Sequence, residues 1–82
     1  MEFIKNKTLK VLSDWLFVDE FDEIYIEEER IRFYENCNLA FDIEINTFGE
    51  ATIKVEEVGA LSESELADYA ALLSNLKGCI RK

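Results

Sequence analysis

The chain has 82 residues, of which 49% are hydrophobic and 33% charged, so residues 1–82 are expected to form a single small globular domain. The absence of His removes the commonest general base and the commonest metal ligand, and neither an enzyme nor a metal or cofactor site is expected. Eighteen acidic against nine basic residues give a net charge of -9, which disfavours nucleic acid and anionic membranes as partners and favours a basic protein.

The N-terminal segment is predicted to form a helix that ends near Val18. Asn6 or Thr8 is placed to cap its start. Its inward face would consist of Leu9, Leu12, Trp15 and Leu16. The uninterrupted apolar run at residues 15–18 is too short for a signal peptide or a membrane span, so we expect a cytoplasmic protein.

Residues 23–58 alternate apolar and polar side chains with a period of two, which predicts four antiparallel strands with one apolar face. The predicted inward residues are Ile24, Ile26, Ile31, Phe33, Leu39, Phe41, Ile43, Ile45, Ala51, Ile53 and Val55. A first turn at residues 28–29 sets Tyr25 opposite Arg32, and a second at residues 46–50 sets Asp42 opposite Lys54. Apolar groups then face apolar groups, and acids face bases.

The C-terminal helix is predicted from a capping box formed by Ser62 and Glu65, with Gly78 as its C-cap. Its apolar stripe would consist of Leu66, Tyr69, Ala70, Leu73 and Leu76. Because the apolar sheet face needs a cover, we expect the stripe to pack on it. The predicted fold is therefore α+β, with an N-terminal helix, a four-stranded antiparallel meander sheet and a C-terminal helix, both helices packed on one sheet face.

Negative charge is concentrated between residues 14 and 29, which hold eight carboxylates and no Lys or Arg. Several of these acids would lie at the C-terminal end of the first helix, where the dipole disfavours them, and Glu28 with Glu29 is a poor sequence for a tight turn. Such departures from local rules point to function. The resulting strip, about 20 Å long, would resemble a short stretch of phosphate backbone. Its candidate partner-binding residues are Asp19, Glu20, Asp22, Glu23, Glu27, Glu28 and Glu29.

Other interpretations of the surface stay open. The acids could also serve only to keep the protein soluble. A calcium site is a third interpretation, although the sequence does not contain the loop pattern of an EF-hand. Tyr25 and Tyr34, beside Arg30 and Arg32, are residue types enriched at binding hot spots and form a second candidate surface. In that interpretation the protein is a structural or oligomerisation module that binds through its outer sheet face.

In size, acidity and the order helix, antiparallel sheet, helix, the whole chain resembles the small inhibitors that phages encode against bacterial nucleases, the anti-CRISPR and anti-restriction proteins. The resemblance implies a non-enzymatic inhibitor, acting in the bacterial cytoplasm, that occupies the DNA or RNA channel of a nuclease or CRISPR effector. Each carboxylate of the strip would then pair with a Lys or Arg that otherwise holds phosphate. Immunity proteins that neutralise basic nuclease toxins would use the same physics.

Overall fold

The computed structural model describes residues 1–55 and 63–82, which form an α+β fold with two helices, a four-stranded antiparallel sheet and a two-stranded antiparallel sheet. In chain order the elements are β1 (Glu2–Phe3), α1 (Lys5–Ser13), a 3₁₀ turn (Val18–Glu20), β2 (Glu23–Ile26), β3 (Arg30–Glu35), β4 (Asn38–Ile45), β5 (Ala51–Val55), α2 (Glu63–Leu76), a second 3₁₀ turn (Lys77–Cys79) and β6 (Ile80–Arg81). The large sheet has the order β2-β3-β4-β5, which is the predicted meander. The pairing of β1 with β6 was not predicted.

The registers of both outer hairpins confirm the predicted pairing. Tyr25 pairs with Arg32 in the first hairpin, and Asp42 pairs with Lys54 in the hairpin formed by β4 and β5. Gly49, in the turn between β4 and β5, has φ 82°, a left-handed value that Gly adopts without strain. Alternation with a period of two therefore specified both the strands and their partners.

A bulge in β4 overturns one predicted side-chain orientation. The register between β3 and β4 shifts so that Phe33 pairs with Phe41 while the next residue, Tyr34, pairs with Leu39. Ala40 is the extra residue, and it packs against the core. Leu39 therefore shares the outer face with Tyr34, and its prediction as an inward residue was wrong. The stretch from Leu39 to Phe41 is apolar at every position, so alternation alone could not reveal the bulge.

The N-terminal helix is shorter than predicted. It ends at Ser13, not near Val18, and Asp14 occupies the C-cap. The Ser13 hydroxyl donates a hydrogen bond to the Leu9 carbonyl oxygen at 2.8 Å. Such a bond between a side chain and the backbone competes with helix propagation, which agrees with the end of the helix at this point.

The start and the buried face of α1 also differ from the prediction. Ile4 is the N-cap, so neither Asn6 nor Thr8 caps the helix. Thr8 and Leu12 are buried, whereas Leu9 and Leu16, both predicted inward, are 54% and 82% exposed. Of the predicted face, Leu12 is therefore correct and Leu9 is wrong. Hydrophobicity alone favours burial of Leu9, but the structure buries Thr8 instead.

The C-terminal helix α2 spans Glu63–Leu76, as predicted, and buries Tyr69, Leu72 and Leu76. Ala70 was predicted to belong to the buried stripe, and this was wrong, because Ala70 is exposed. Gly78 is not a left-handed C-cap, because Gly49 is the one Gly with positive φ among the described residues and the chain runs from α2 directly into the 3₁₀ turn. The described residues do not include Ser62, or the side chains of Glu65 and Leu66, so the capping box stays a prediction.

The core consists of aromatic and aliphatic side chains from the sheet, from both helices and from the segment after α1. Phe33 and Phe41 stack across the sheet with their ring centroids 4.3 Å apart. Trp15, which follows α1, lies 5.8 Å from Phe33 and 5.5 Å from Tyr69 of α2, measured between ring centroids. Trp15 thus contacts both the sheet and α2, and it anchors the chain just before the acidic residues that begin at Asp19.

Candidate functional site

The predicted acidic strip follows β2, which is an edge strand of the large sheet. The residues of the strip lie in the 3₁₀ turn (Asp19, Glu20), directly before β2 (Asp22), in its first position (Glu23), and after it through the turn into β3 (Glu27, Glu28, Glu29). All of them except the half-buried Glu27 are exposed. These residues therefore belong to β2 and to the two segments that flank it in the chain.

One reason that the sequence offered for the strip is wrong. Asp19, Glu20, Asp22 and Glu23 do not lie at the C-terminal end of the first helix, because α1 ends at Ser13. The unfavourable interaction with the helix dipole is therefore absent. Asp19 and Glu20 lie instead in the separate 3₁₀ turn, which contains no basic residue.

Two members of the strip have structural partners within the chain. The Asp22 carboxylate accepts a hydrogen bond from the Asn36 backbone N–H at 2.6 Å, which holds the turn between β3 and β4. The Glu23 carboxylate accepts a hydrogen bond from the Tyr25 hydroxyl. This bond, together with the negative charge of Glu23, raises the pKa of Tyr25 above its ordinary value.

Glu27, in the middle of the strip, is paired with Arg side chains of the outer sheet face. One Glu27 carboxylate oxygen lies 3.6 Å from Nε of Arg30 and forms an ion pair with Arg32. The guanidinium of Arg32 also lies over the rings of Tyr25 and Tyr34, 5.3 and 5.8 Å from their centroids, and donates a hydrogen bond to the Tyr34 hydroxyl at 3.1 Å. The second candidate surface therefore forms an internally bonded cluster, which we call the tyrosine–arginine cluster.

Charge in this cluster is balanced locally. Burial disfavours the charged form of Arg32, but Glu27 and Tyr34 outweigh it and raise the pKa of Arg32. On the neighbouring strands, Nζ of Lys54 lies 2.8 Å from a carboxylate oxygen of Glu44, and this hydrogen bond raises the pKa of Lys54. The outer sheet face thus carries acids and bases in contact, and it contributes little unpaired charge.

Four carboxylates near the two ends of β2 are among those that have no partner in the described part of the chain. Within residues 1–55 and 63–82, the side chains of Asp19, Glu20, Glu28 and Glu29 form no ion pair or hydrogen bond. We call Asp19 with Glu20 the entry pair, and Glu28 with Glu29 the turn pair. Within the predicted strip, the entry pair and the turn pair are therefore two separate sources of negative potential.

The turn pair is held from outside the turn. The backbone carbonyl oxygen of Glu28 accepts a hydrogen bond from Phe3 N–H at 2.7 Å, and that of Glu29 accepts one from Ile45 N–H at 3.1 Å. Neither Glu has positive φ, so the turn is not of the type I′ or II′ that two-residue hairpins favour. The backbone is fixed by β1 and β4, while neither carboxylate has a partner in the part of the chain that the structure describes.

No residue of the described part of the chain belongs to a group of three or more Cys, Asp or Glu side chains placed to hold a metal ion. Cys37 is exposed and Cys79 is buried, and both are free thiols. Cys37 lies in the turn between β3 and β4, next to Asn36, and both residues have positive φ.

Across residues 1–55 and 63–82, neither helix has the length and apolar character that a membrane span requires. Comparison of the chain with protein-family models, with curated protein sequences and with solved structures found no significant match.

Proposed function

We propose that the protein is a non-enzymatic acidic binding protein that inhibits a basic nucleic-acid-binding partner by occupying its DNA or RNA site. The observation that carries the proposal is the entry pair and the turn pair, four exposed carboxylates without a cation partner among the described residues. Lys and Arg side chains that hold phosphate would form charge-assisted hydrogen bonds to these carboxylates.

The spacing of the charges refines the proposed mimicry. The stretch from Glu20 to Glu28 spans eight residues, and about 3.3 Å per extended residue gives an upper limit of roughly 26 Å between the two pairs. Double-stranded DNA carries one charge per about 1.7 Å of its axis, so the protein cannot reproduce phosphates one by one. The two pairs would instead engage two separate basic patches within one groove.

The proposal assigns no role as base or nucleophile to the tyrosine–arginine cluster. A catalytic Tyr acting as a base or nucleophile needs a lowered pKa. The hydrogen bond to Glu23 raises the pKa of Tyr25, which keeps the phenol protonated at neutral pH. This cluster supports a structural role for the outer face.

The test is charge reversal of the turn pair. The variant Glu28→Lys/Glu29→Lys leaves Glu27 untouched, because Glu27 holds two Arg side chains. The matched control, Asp14→Lys/Asp68→Lys, makes the same change in net charge at two exposed sites outside β2 and its flanking turns, one at the end of α1 and one on α2. A partner would be captured on the wild-type protein from bacterial lysate and purified, and displacement of its labelled DNA or RNA would be measured.

We expect the turn-pair variant to displace nucleic acid at least about tenfold more weakly than wild type, and the control to match wild type. The difference should shrink as ionic strength rises, because the Debye length falls from about 10 Å at 0.1 M salt to about 3 Å at 1 M. Undiminished displacement by Glu28→Lys/Glu29→Lys would overturn the proposal.

The alternative function is a structural or oligomerisation module that binds through Tyr25 and Tyr34. Tyr25 is 44% exposed, and its ring, in contact with Arg32, is of the type enriched at hot spots. Solution mass as a function of concentration tests this alternative. A monomer at all concentrations, unchanged by Tyr25→Ala, would contradict the oligomerisation module, and an oligomer lost on Tyr25→Ala at high salt would favour it.

A further inference from the structure

The edge of β2 that faces away from β3 is partly occupied. Just after the strand, Phe3 N–H donates to the Glu28 carbonyl oxygen, so β1 lies against this edge there, and the groups that remain are those of Ile24 and Ile26. Glu27 N–H donates to the Arg30 carbonyl oxygen at 2.8 Å, so these two residues form a hydrogen-bonded pair of the antiparallel ladder. Hydrogen-bonded pairs alternate with non-hydrogen-bonded pairs. Ile24 and Ile26 belong to the second kind, and their N–H and C=O groups therefore point away from β3 towards the edge.

An independent hydrogen bond confirms which residues of β2 direct their backbone groups to the edge. Ile45 N–H donates to the Glu29 carbonyl oxygen, so odd-numbered residues of β3 bond to β4 and even-numbered residues bond to β2. Within residues 1–55 and 63–82, the edge-facing groups of Ile24 and Ile26 have no hydrogen-bond partner. Their side chains are half-buried, whereas Ile31 on the adjacent strand is fully buried.

Charge decides what can pair with this edge. A second copy added antiparallel about Tyr25 would set Glu23 of one chain opposite Glu27 of the other, and would bring acidic segments together. The entry pair and the turn pair flank the edge at its two ends, so the potential there is negative. A strand that carries Lys or Arg would be attracted to the same edge.

We propose that β2 accepts an extended, Lys- or Arg-rich segment of a partner protein as an additional antiparallel strand, bonded to the backbone of Ile24 and Ile26. Strand addition supplies affinity through main-chain hydrogen bonds, and the flanking carboxylates supply selection for a basic segment. The inference rests on the proposed function only in taking the partner to be basic.

The test uses a short acetylated and amidated peptide of alternating Lys and Val. Its controls are the same peptide N-methylated at alternate residues, which keeps the charge but removes one row of backbone donors, and a peptide of alternating Thr and Val, which keeps the backbone but removes the charge. Affinity is measured by titration. Amide shifts and hydrogen exchange are read at Ile24 and Ile26, with Ile53 of the opposite edge strand β5 as internal reference.

We expect the Lys peptide to bind at least about tenfold more tightly than either control and to protect the amides of Ile24 and Ile26 but not that of Ile53. Equal binding of the N-methylated peptide, with those amides unchanged, would overturn strand addition while leaving the acidic attraction of the proposed function intact. Equal binding of the Thr peptide would overturn selection by charge. Failure of all three peptides to bind would overturn the inference, whereas the proposed function is judged separately by displacement of nucleic acid with Glu28→Lys/Glu29→Lys.

Discussion

The two turns at one end of the large sheet, residues 28–29 and residues 46–50, are held in place by different parts of the chain. In the second turn, Asn46 accepts backbone hydrogen bonds from Phe48 and Glu50 at its side-chain oxygen, both at 2.9 Å, and Gly49 supplies the left-handed φ. In the first turn, the carbonyl oxygens of Glu28 and Glu29 are bonded by β1 and β4. One turn is stabilised by its own side chains and the other by its neighbours.

Because of this difference, the residues that stabilise the fold lie in one turn, and the residues assigned to the proposed function lie in the other. A turn whose own residues stabilise it cannot change those residues without losing stability. A turn stabilised from outside leaves its side chains unconstrained, and here they are two adjacent carboxylates without partners among the described residues. The comparison therefore predicts that mutations in the two turns have opposite profiles in stability and in binding.

The largest effect on stability is expected from Asn46→Ala. It removes the acceptor of two backbone hydrogen bonds, each worth about 0.5–1.5 kcal/mol net. We expect the free energy of unfolding to fall by about 2 kcal/mol in chemical denaturation, with no change in nucleic-acid displacement by the protein that remains folded. Asn46→Asp, which keeps the acceptor, is the matched control. Equal loss in both variants would mean that the acceptor is not what stabilises this turn.

The third turn, at Asn36 and Cys37, sharpens the comparison because its sequence opposes its geometry. Both residues have positive φ, which suits the Asn-Gly sequence typical of type I′ turns and strains a Cys. We expect Cys37→Gly to raise the free energy of unfolding by about 1 kcal/mol, offset in part by the greater freedom of Gly in the unfolded chain. Cys37→Ser, which keeps the strain, should leave stability near that of wild type. A loss of stability in Cys37→Gly would show that the left-handed backbone is not the source of strain.

How much of this could be predicted from the sequence depends on the range of the interactions. The hairpins were predictable because alternation and the opposite charges of Glu27 and Arg30 report contacts between neighbouring strands. The pairing of β1 with β6 was not, because strands of two residues carry no periodic signal and join distant parts of the chain. The buried face of α1 was predicted wrongly because Thr8 is buried while Leu9 is exposed, the opposite of what the hydrophobicity of the two side chains indicates.

The candidate site was predicted in composition but not in arrangement. All seven acids belong to β2 or to the segments that flank it, yet the sequence could not show that Asp22 and Glu23 accept hydrogen bonds and that Glu27 pairs with Arg side chains. The predicted meander did place β2 at an edge of the sheet, but the sequence could not show that Ile24 and Ile26, rather than their neighbours, direct their backbone groups to that edge. The open backbone at Ile24 and Ile26 is therefore a feature that only the fold reveals.

A smaller effect on stability is expected from Glu28→Lys/Glu29→Lys, the variant that should weaken displacement of nucleic acid. Because neither side chain has a partner within the described residues, and the turn is fixed through backbone carbonyls, the free energy of unfolding should change by less than about 0.5 kcal/mol. Urea denaturation measures it. A loss comparable to that of Asn46→Ala would show that the carboxylates stabilise the turn, and the separation of folding from function would fail.

The smallest effect concerns the pKa of Tyr25, and it tests whether Glu23 is bound to the tyrosine–arginine cluster or available to a partner. The hydrogen bond to Glu23 and the charge of Glu23 raise the pKa of Tyr25 above its ordinary value, so this interaction stabilises the fold below the ordinary pKa of a Tyr and is lost as the pH rises through the raised pKa. Glu23→Gln should lower the pKa of Tyr25 towards its ordinary value, because the amide can accept the hydrogen bond but carries no charge. The pKa is read from the pH dependence of the Tyr ring carbon shifts, with Tyr34 as internal reference. An unchanged pKa would mean that Glu23 is not engaged by Tyr25 in solution, and Glu23 would then join the entry pair as a free carboxylate.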